Sequence, residues 1–179
     1  MRFFVNKFPD FQPDKLVQTE RSKWRDNVVS IVKTVVERMP PDQSTCDGGL
    51  YVGNSGVGYM LYYLANHSDF ADQKDSYLES AFMYAKVNID YMKRNGFSRD
   101  PPAAFVLGQA GVIALCSLLH KTVGDDENSD AYLKQYASLA QACKKIDFFR
   151  NGSDELLVGR AGYLSGILTL QQKLGKEVD

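Results

Sequence analysis

The sequence predicts an all-α protein built as a double layer of helix hairpins, and three observations carry that prediction. One string occurs three times in different letters: residues 50–64 read LYVGNSGVGYMLYYL, 105–119 read FVLGQAGVIALCSLL, and 156–170 read LLVGRAGYLSGILTL. In each copy three apolar residues lead into G-x-x-G, at Gly53/Gly56, Gly108/Gly111 and Gly159/Gly162, and an uncharged run follows. The copies are offset by 55 and 51 residues, a repeat period near fifty. Between them lie stretches with apolar residues at spacings of three and four, the stripe of a surface helix. No stretch sustains the alternation of a half-buried strand.

In chain order, Pro13 and Asp14 can open a first helix, and Trp24, Val28, Ile31, Val32, Val35, Val36 and Met39 form its stripe until Pro40 and Pro41 stop it. The polar loop DQSTCDGG then leads into the first glycine-headed helix, which carries no charge on any face from Val57 to Ala65. After a loop at Asn66–Asp72, a second stripe of Leu78, Ala81, Phe82, Ala85, Ile89 and Met92 ends near Asn95 and Gly96. Residues 98–102 link to the second glycine-headed helix, uncharged from Gln109 to Leu119. An acidic loop at Gly124–Ser129 precedes a third stripe, Tyr132, Leu133, Tyr136, Ala137, Ala140 and Cys143, and the loop 150–154 leads to the third copy. A helix apolar on one stripe lies at a surface, and one apolar nearly all round is enclosed. The alternation therefore predicts three inner helices, near 53–65, 108–120 and 159–172, screened by three outer ones in a single domain over 1–179.

Glycine costs a helix about 1 kcal/mol against alanine, so a pair repeated three times needs a reason. Lacking Cβ atoms, such a pair lets another backbone approach closely, and the first glycine can also form a cap or tight turn. A mouth of helix N-termini that favours anions is the second reading, compatible with the first.

Lys plus Arg number 21 against 22 acids, so no net field draws the chain to nucleic acid or an anionic membrane. The uncharged runs 48–68 and 101–120 are long enough to span a bilayer, but their polar residues and prolines suit a protein core better. The N-terminus lacks the apolar core of a signal peptide, and Arg2 stands where myristoylation needs glycine. Cys46, Cys116 and Cys143 are too few for a disulfide framework and fit a reducing, cytoplasmic setting.

The strings DGGLYVGNSGVGYMLYYLA, AAFVLGQAGVIAL and GSDELLVGRAGYLSGIL, with the opening R-x-F-x-N at Arg2, Phe4 and Asn6, resemble the first three repeats of the LanC-like (lanthionine synthetase C-like) proteins. The likeness covers essentially the whole chain and is nearest to that family's third paralogue group. It implies an α/α toroid of about seven hairpins, of which three are present. It implies, too, a zinc enzyme that activates a thiol, of glutathione or a peptide cysteine, to attack dehydroalanine or dehydrobutyrine in peptides. By the same resemblance Arg2 matches an arginine that contacts glutathione, a role its bidentate fork suits. The family's zinc ligands are a cysteine and a later Cys-His-Gly in C-terminal repeats, and this chain has no Cys-His dipeptide. The resemblance thus implies an N-terminal half without catalytic residues or metal of its own, with open flanks through which it could self-associate.

Other constellations have plainer readings. Cys116 and His120, four apart on an inner helix, could ligate a metal or be a buried thiol and a helix-end histidine. His67 reads as a loop histidine. Asp47, Asp100, Asp154 and Glu155 each precede a G-x-x-G, where carboxylates usually cap helices. Gathered round one mouth they would instead suggest a glycosidase-like toroid acting on carbohydrate. Arg160, between the glycines of the third copy, could face the central opening or solvent. A non-catalytic binding or regulatory module is a further reading.

Overall fold

In the computed structural model of the protein the described residues are 5, 7–10, 20–46, 49–95, 102–147 and 153–177. Among them all regular structure is helical. The outer helix α1 (Arg21–Arg38) presents Val32 to the core with Val28, Val35, Val36 and Met39 packed beside it, as expected from the sequence, but Val29 joins them while Ile31 and Trp24 of the expected stripe are 60% and 40% exposed. Residues 11–19, where Pro13 and Asp14 were expected to open the helix, lie outside the described residues. Pro40 and Pro41 end it, and the freed Met39 carbonyl accepts from the Tyr84 hydroxyl at 2.6 Å. At the other end Arg25 bonds Asp72 at 2.6 Å and sits over the Phe70 ring, fastening α1 to the turn Ser68–Gln73.

The first glycine-headed segment is two helices, α2 (Gly49–Val52) and α3 (Ser55–Ala65), broken at Gly53–Asn54. α4 (Lys74–Asn95) is the second outer helix. It buries Tyr77, Leu78, Ala81, Tyr84, Ala85 and Asn88 and lays Phe82, Ile89 and Met92 against the core. Its stripe is wide because it packs against both α3 and α5.

The enclosed helix is α5 (Gln109–Thr122), in which every residue from Gln109 to Leu119 is buried. Eleven consecutive buried positions leave no face for charge, which is why none occurs there. The third outer stripe is divided: α6 (Asp126–Ser138) stops at Leu139 and α7 (Ala140–Cys143) resumes beyond it. At the junction Leu139 N–H donates to the Tyr136 carbonyl and Ala142 N–H to the Leu139 carbonyl, both at 3.0 Å. These tighter three-residue bonds replace the α ladder and interrupt a stripe that the sequence draws as continuous.

α8 (Arg160–Leu174) closes the described chain, and Gly175 in the left-handed region ends it, with its N–H on the Gln171 carbonyl. Ser117 and Ser129 exchange hydroxyl-to-carbonyl bonds at 2.9 and 3.0 Å between α5 and α6. Tyr136, fully buried, donates to the Tyr163 carbonyl at 2.8 Å and stacks on that ring at 5.1 Å, joining α6 to α8. The inner helices α3, α5 and α8 are thus neighbours in sequence order, with α4 and α6 behind them. On α8 the sequence of buried helices ends in exposure: Leu164 and Leu168 are 56% and 65% exposed. No helix among the described residues is long and apolar enough to cross a membrane.

Candidate functional site

The three glycine pairs gather where the inner helices begin, and each copy is built alike. In the second and third copies the first glycine is the residue that caps α5 and α8, in extended conformation. In the first copy the turn falls on Gly53–Asn54 instead. The second glycine is constrained more tightly. A Cβ on Gly56, Gly111 or Gly162 would fall far inside van der Waals contact with the carbonyl oxygen of Leu50, Phe105 or Leu156 respectively, the first lead-in residue of its own copy. The close approach expected from the sequence is therefore real. The backbone that approaches is the chain's own lead-in, folded back onto the helix start, rather than a neighbouring helix.

The lead-ins also join one copy to the next. Tyr51 N–H donates to the Val106 carbonyl at 3.1 Å, and Leu107 N–H donates to the Leu157 carbonyl at 3.2 Å. The Leu50 side chain lies 2.7 Å from where a Cβ on Gly111 would be, and Phe105 Cβ lies 3.7 Å from the same point on Gly162. A Cβ on Gly49, at φ +60°, would lie within 2.8 Å of the backbone of Leu107 and Gly108, so only glycine satisfies both its dihedral and its space. Each lead-in thus covers the second glycine of the following copy. Leu156, the equivalent residue of the third copy, is 54% exposed.

This folding-back engages one helix-start donor in each of the second and third copies. Ala110 N–H goes to the Ala104 carbonyl at 3.2 Å and Arg160 N–H to the Ser153 carbonyl at 2.7 Å. The carboxylates are likewise engaged. Glu155 accepts from the N–H groups of Leu157 at 2.6 Å, Val158, and Gly159 at 2.7 Å. Burial pushes its carboxyl pKa up, but these backbone donors outweigh that and hold it below the usual glutamate value of 4.5. A depressed carboxyl contributes stability above the unfolded-state value that is lost as pH falls through the lower folded one. The stability difference between wild type and Glu155→Gln is therefore expected to narrow below pH 4.5, measured by denaturant unfolding at stepped pH. Asp154 pairs with Arg160 at 2.5 Å, and Asp47 and Asp100 lie outside the described residues. Neither described acid is left as a glycosidase's proton donor.

The residue after the first glycine is polar in every copy, a pattern from which the sequence reading took only Arg160. Asn54 donates to the Asp42 carbonyl at 2.8 Å and Thr45 Oγ1 at 3.1 Å, and accepts from Asn88 at 2.6 Å. Arg160 donates to the carbonyls of Cys143 at 2.7 Å, Ile146 at 3.0 Å, and Lys145, so it clasps the end of the preceding outer helix. Gln109, the equivalent residue of the second copy, is 4% exposed, and among the described residues neither its amide oxygen nor its nitrogen has a hydrogen-bond partner.

Cys116 and His120 share α5. Burial pushes the Cys116 thiol up to about 12, against a smaller opposing effect of the Tyr132 hydroxyl, so it is no ready thiolate. His120 Nδ1 is bonded to Asp125 Oδ2 at 2.9 Å, and the ring is stacked on Tyr132 at 5.6 Å and edge-on to Phe82 at 5.2 Å. His67 Nδ1 accepts from Asp69 N–H at 3.2 Å at the start of the turn Ser68–Gln73. Among the described residues no group of three or more histidines, cysteines or acids is placed to hold a metal ion. Cys116 and His120 supply two candidate ligands where a structural zinc site takes four, so no step is assigned through a metal on these residues. Arg2 lies outside the described residues, as do Phe4 and Asn6.

A sequence model described as lanthionine synthetase C-like protein matches residues 44–179. A curated relative from Danio rerio named glutathione S-transferase LANCL1 is 26% identical over 136 residues, covering 76% of this chain. The chain spans 30% of that relative's length.

Proposed function

The chain belongs to the lanthionine synthetase C-like family, and on that premise we propose that it forms three consecutive hairpins in the wall of an α/α toroid that adds glutathione to dehydroamino acids in peptides. The observation that carries this reading is the interlock of the lead-ins. Leu50 covers Gly111 and Phe105 approaches Gly162, whereas Leu156 is exposed, as are Leu164 and Leu168 of α8. A surface made by repetition is matched by one further copy of the same element, so a fourth glycine-headed hairpin suits the α8 flank. The name of the zebrafish relative supports glutathione as the thiol. In this reading Arg2 binds a glutathione carboxylate, zinc and its thiol-activating chemistry come from residues outside those described here, and the setting is the reducing cytoplasm.

The experiment is complementation. The chain is co-expressed with the C-terminal remainder of the zebrafish relative, and the pair is incubated with glutathione and a dehydroalanine peptide. Mass spectrometry is expected to show the thioether adduct with both parts together and only the uncatalysed background with either alone. Arg2→Ala should lower the rate of the pair about tenfold, the scale of losing one charge-assisted bidentate contact. A co-purifying pair that forms no adduct would overturn the proposal.

The exposed leucines of α8 also favour a second reading, a binding module that uses this face without catalysis. It predicts partner capture by the chain without adduct formation by the complemented pair.

A further inference from the structure

The outer side of the fold holds a cavity of about 480 Å³ between α4 and α6, floored by the start of α5. Ile89, Met92 and Lys93 line it from α4, Gln109 from α5, and Asn128, Tyr132 and Gln135 from α6. A second cavity of about 300 Å³ adjoins it, sharing Ile89, Lys93 and Tyr132 and adding Asp90 and His120. From this geometry we infer that the larger cavity is a binding site for the C-terminal end of a short peptide, with Gln109 reading the amide and Lys93 the carboxylate.

The first argument is Gln109. A buried amide whose donor and acceptor are both unmatched costs free energy, and native proteins keep few of them. Repetition sharpens the anomaly, because Asn54 and Arg160 occupy the same place in their copies and are satisfied by the protein itself. In the second copy this residue lines a cavity. A carboxamide is matched by a group that offers a donor and an acceptor side by side, as a peptide unit does.

The second argument is the remaining lining. Ile89 and Met92 supply an apolar wall for a side chain, and Asn128 and Gln135 supply further amide groups. Lys93 is exposed at the rim, with no ion pair among the described residues, and its ammonium suits a carboxylate. A nucleobase would also show a donor–acceptor edge, but it needs an aromatic face to stack on. Tyr132, the one ring lining this cavity among the described residues, is already stacked on His120. The volume lies in the usual range for small-molecule pockets, about 300–1,000 Å³.

The test is calorimetric titration of the whole chain with N-acetyl-alanylalanine, its C-terminal amide, and acetate. Saturable binding of the acid is expected, with the neutral amide at least tenfold weaker and acetate weaker still. Gln109→Leu should weaken the acid at least tenfold. It should also leave the melting temperature of the ligand-free chain unchanged or raise it, because it removes an unmatched buried amide. Lys93→Met should abolish the preference for the acid over the amide. Failure of the acid to saturate, or equal affinity in Gln109→Leu, would overturn the assignment. A lower melting temperature of ligand-free Gln109→Leu would overturn it too, by showing that the protein itself satisfies the amide. Because this site is lined from α4, α5 and α6 and not from α8, its outcome is independent of the complementation result.

Discussion

Gly111→Ala is expected to destabilise the chain by about 3 kcal/mol or more, at the severe end for a single added methyl. For a chain of this size that corresponds to a fall of roughly 6–12 °C in melting temperature. The added carbon would meet the Phe105 carbonyl oxygen from one side and the Leu50 side chain from the other, at 2.7 Å. A flexible side chain can move aside, but the carbonyl belongs to a lead-in whose neighbours Val106 and Leu107 are bonded to the copies on either side. Relief at Gly111 therefore disturbs two repeat junctions together. Gly124→Ala supplies the contrast: its φ of +79° imposes left-handed strain of about 1–2 kcal/mol, yet nothing lies within 4 Å. Thermal melts followed by circular dichroism check both, and equal losses would mean that the lead-in yields to the added methyl and that crowding does not dominate at Gly111.

Much of the fold was legible because the sequence repeats. The run Gln109–Leu119 lacks charge because each of its residues is buried, and five of the seven residues expected in the α1 stripe face the core, Trp24 and Ile31 being the exceptions. The family membership rests on the same strings, which the residue 44–179 match covers. What the sequence hid is carried by backbone groups. The bonds from Tyr51 to Val106 and from Leu107 to Leu157 leave no trace in side-chain type, and only the glycines betray how near the lead-in comes. The break at Leu139 was hidden for the same reason, since two three-residue bonds interrupt α6 without a proline or glycine to mark them. In the candidate site the polar residue after the first glycine was visible in all three copies. That Gln109 is the unsatisfied one depends on where α4 and α6 place their side chains, which no single-sequence pattern specifies.

The second large effect concerns the flank of α8. Leu156, Leu164 and Leu168 are all more than half exposed, and burying a leucine is worth about 1.5–3 kcal/mol. Such a face, with no apolar covering among the described residues, is expected to make the chain self-associate at micromolar concentration. Leu164→Glu combined with Leu168→Glu places two carboxylates where apolar contact would form, and should weaken that association at least a hundredfold. Both residues point away from the core, so helicity and melting should change little.

Sedimentation velocity across a concentration series, run on wild type and on the Leu164→Glu/Leu168→Glu chain, tests most directly whether this is an open arc of repeats. The account predicts concentration-dependent association of the wild type and a monomeric variant of equal helical content. A wild-type chain that sediments as a single monomer at every concentration, with a cooperative melt, would contradict it.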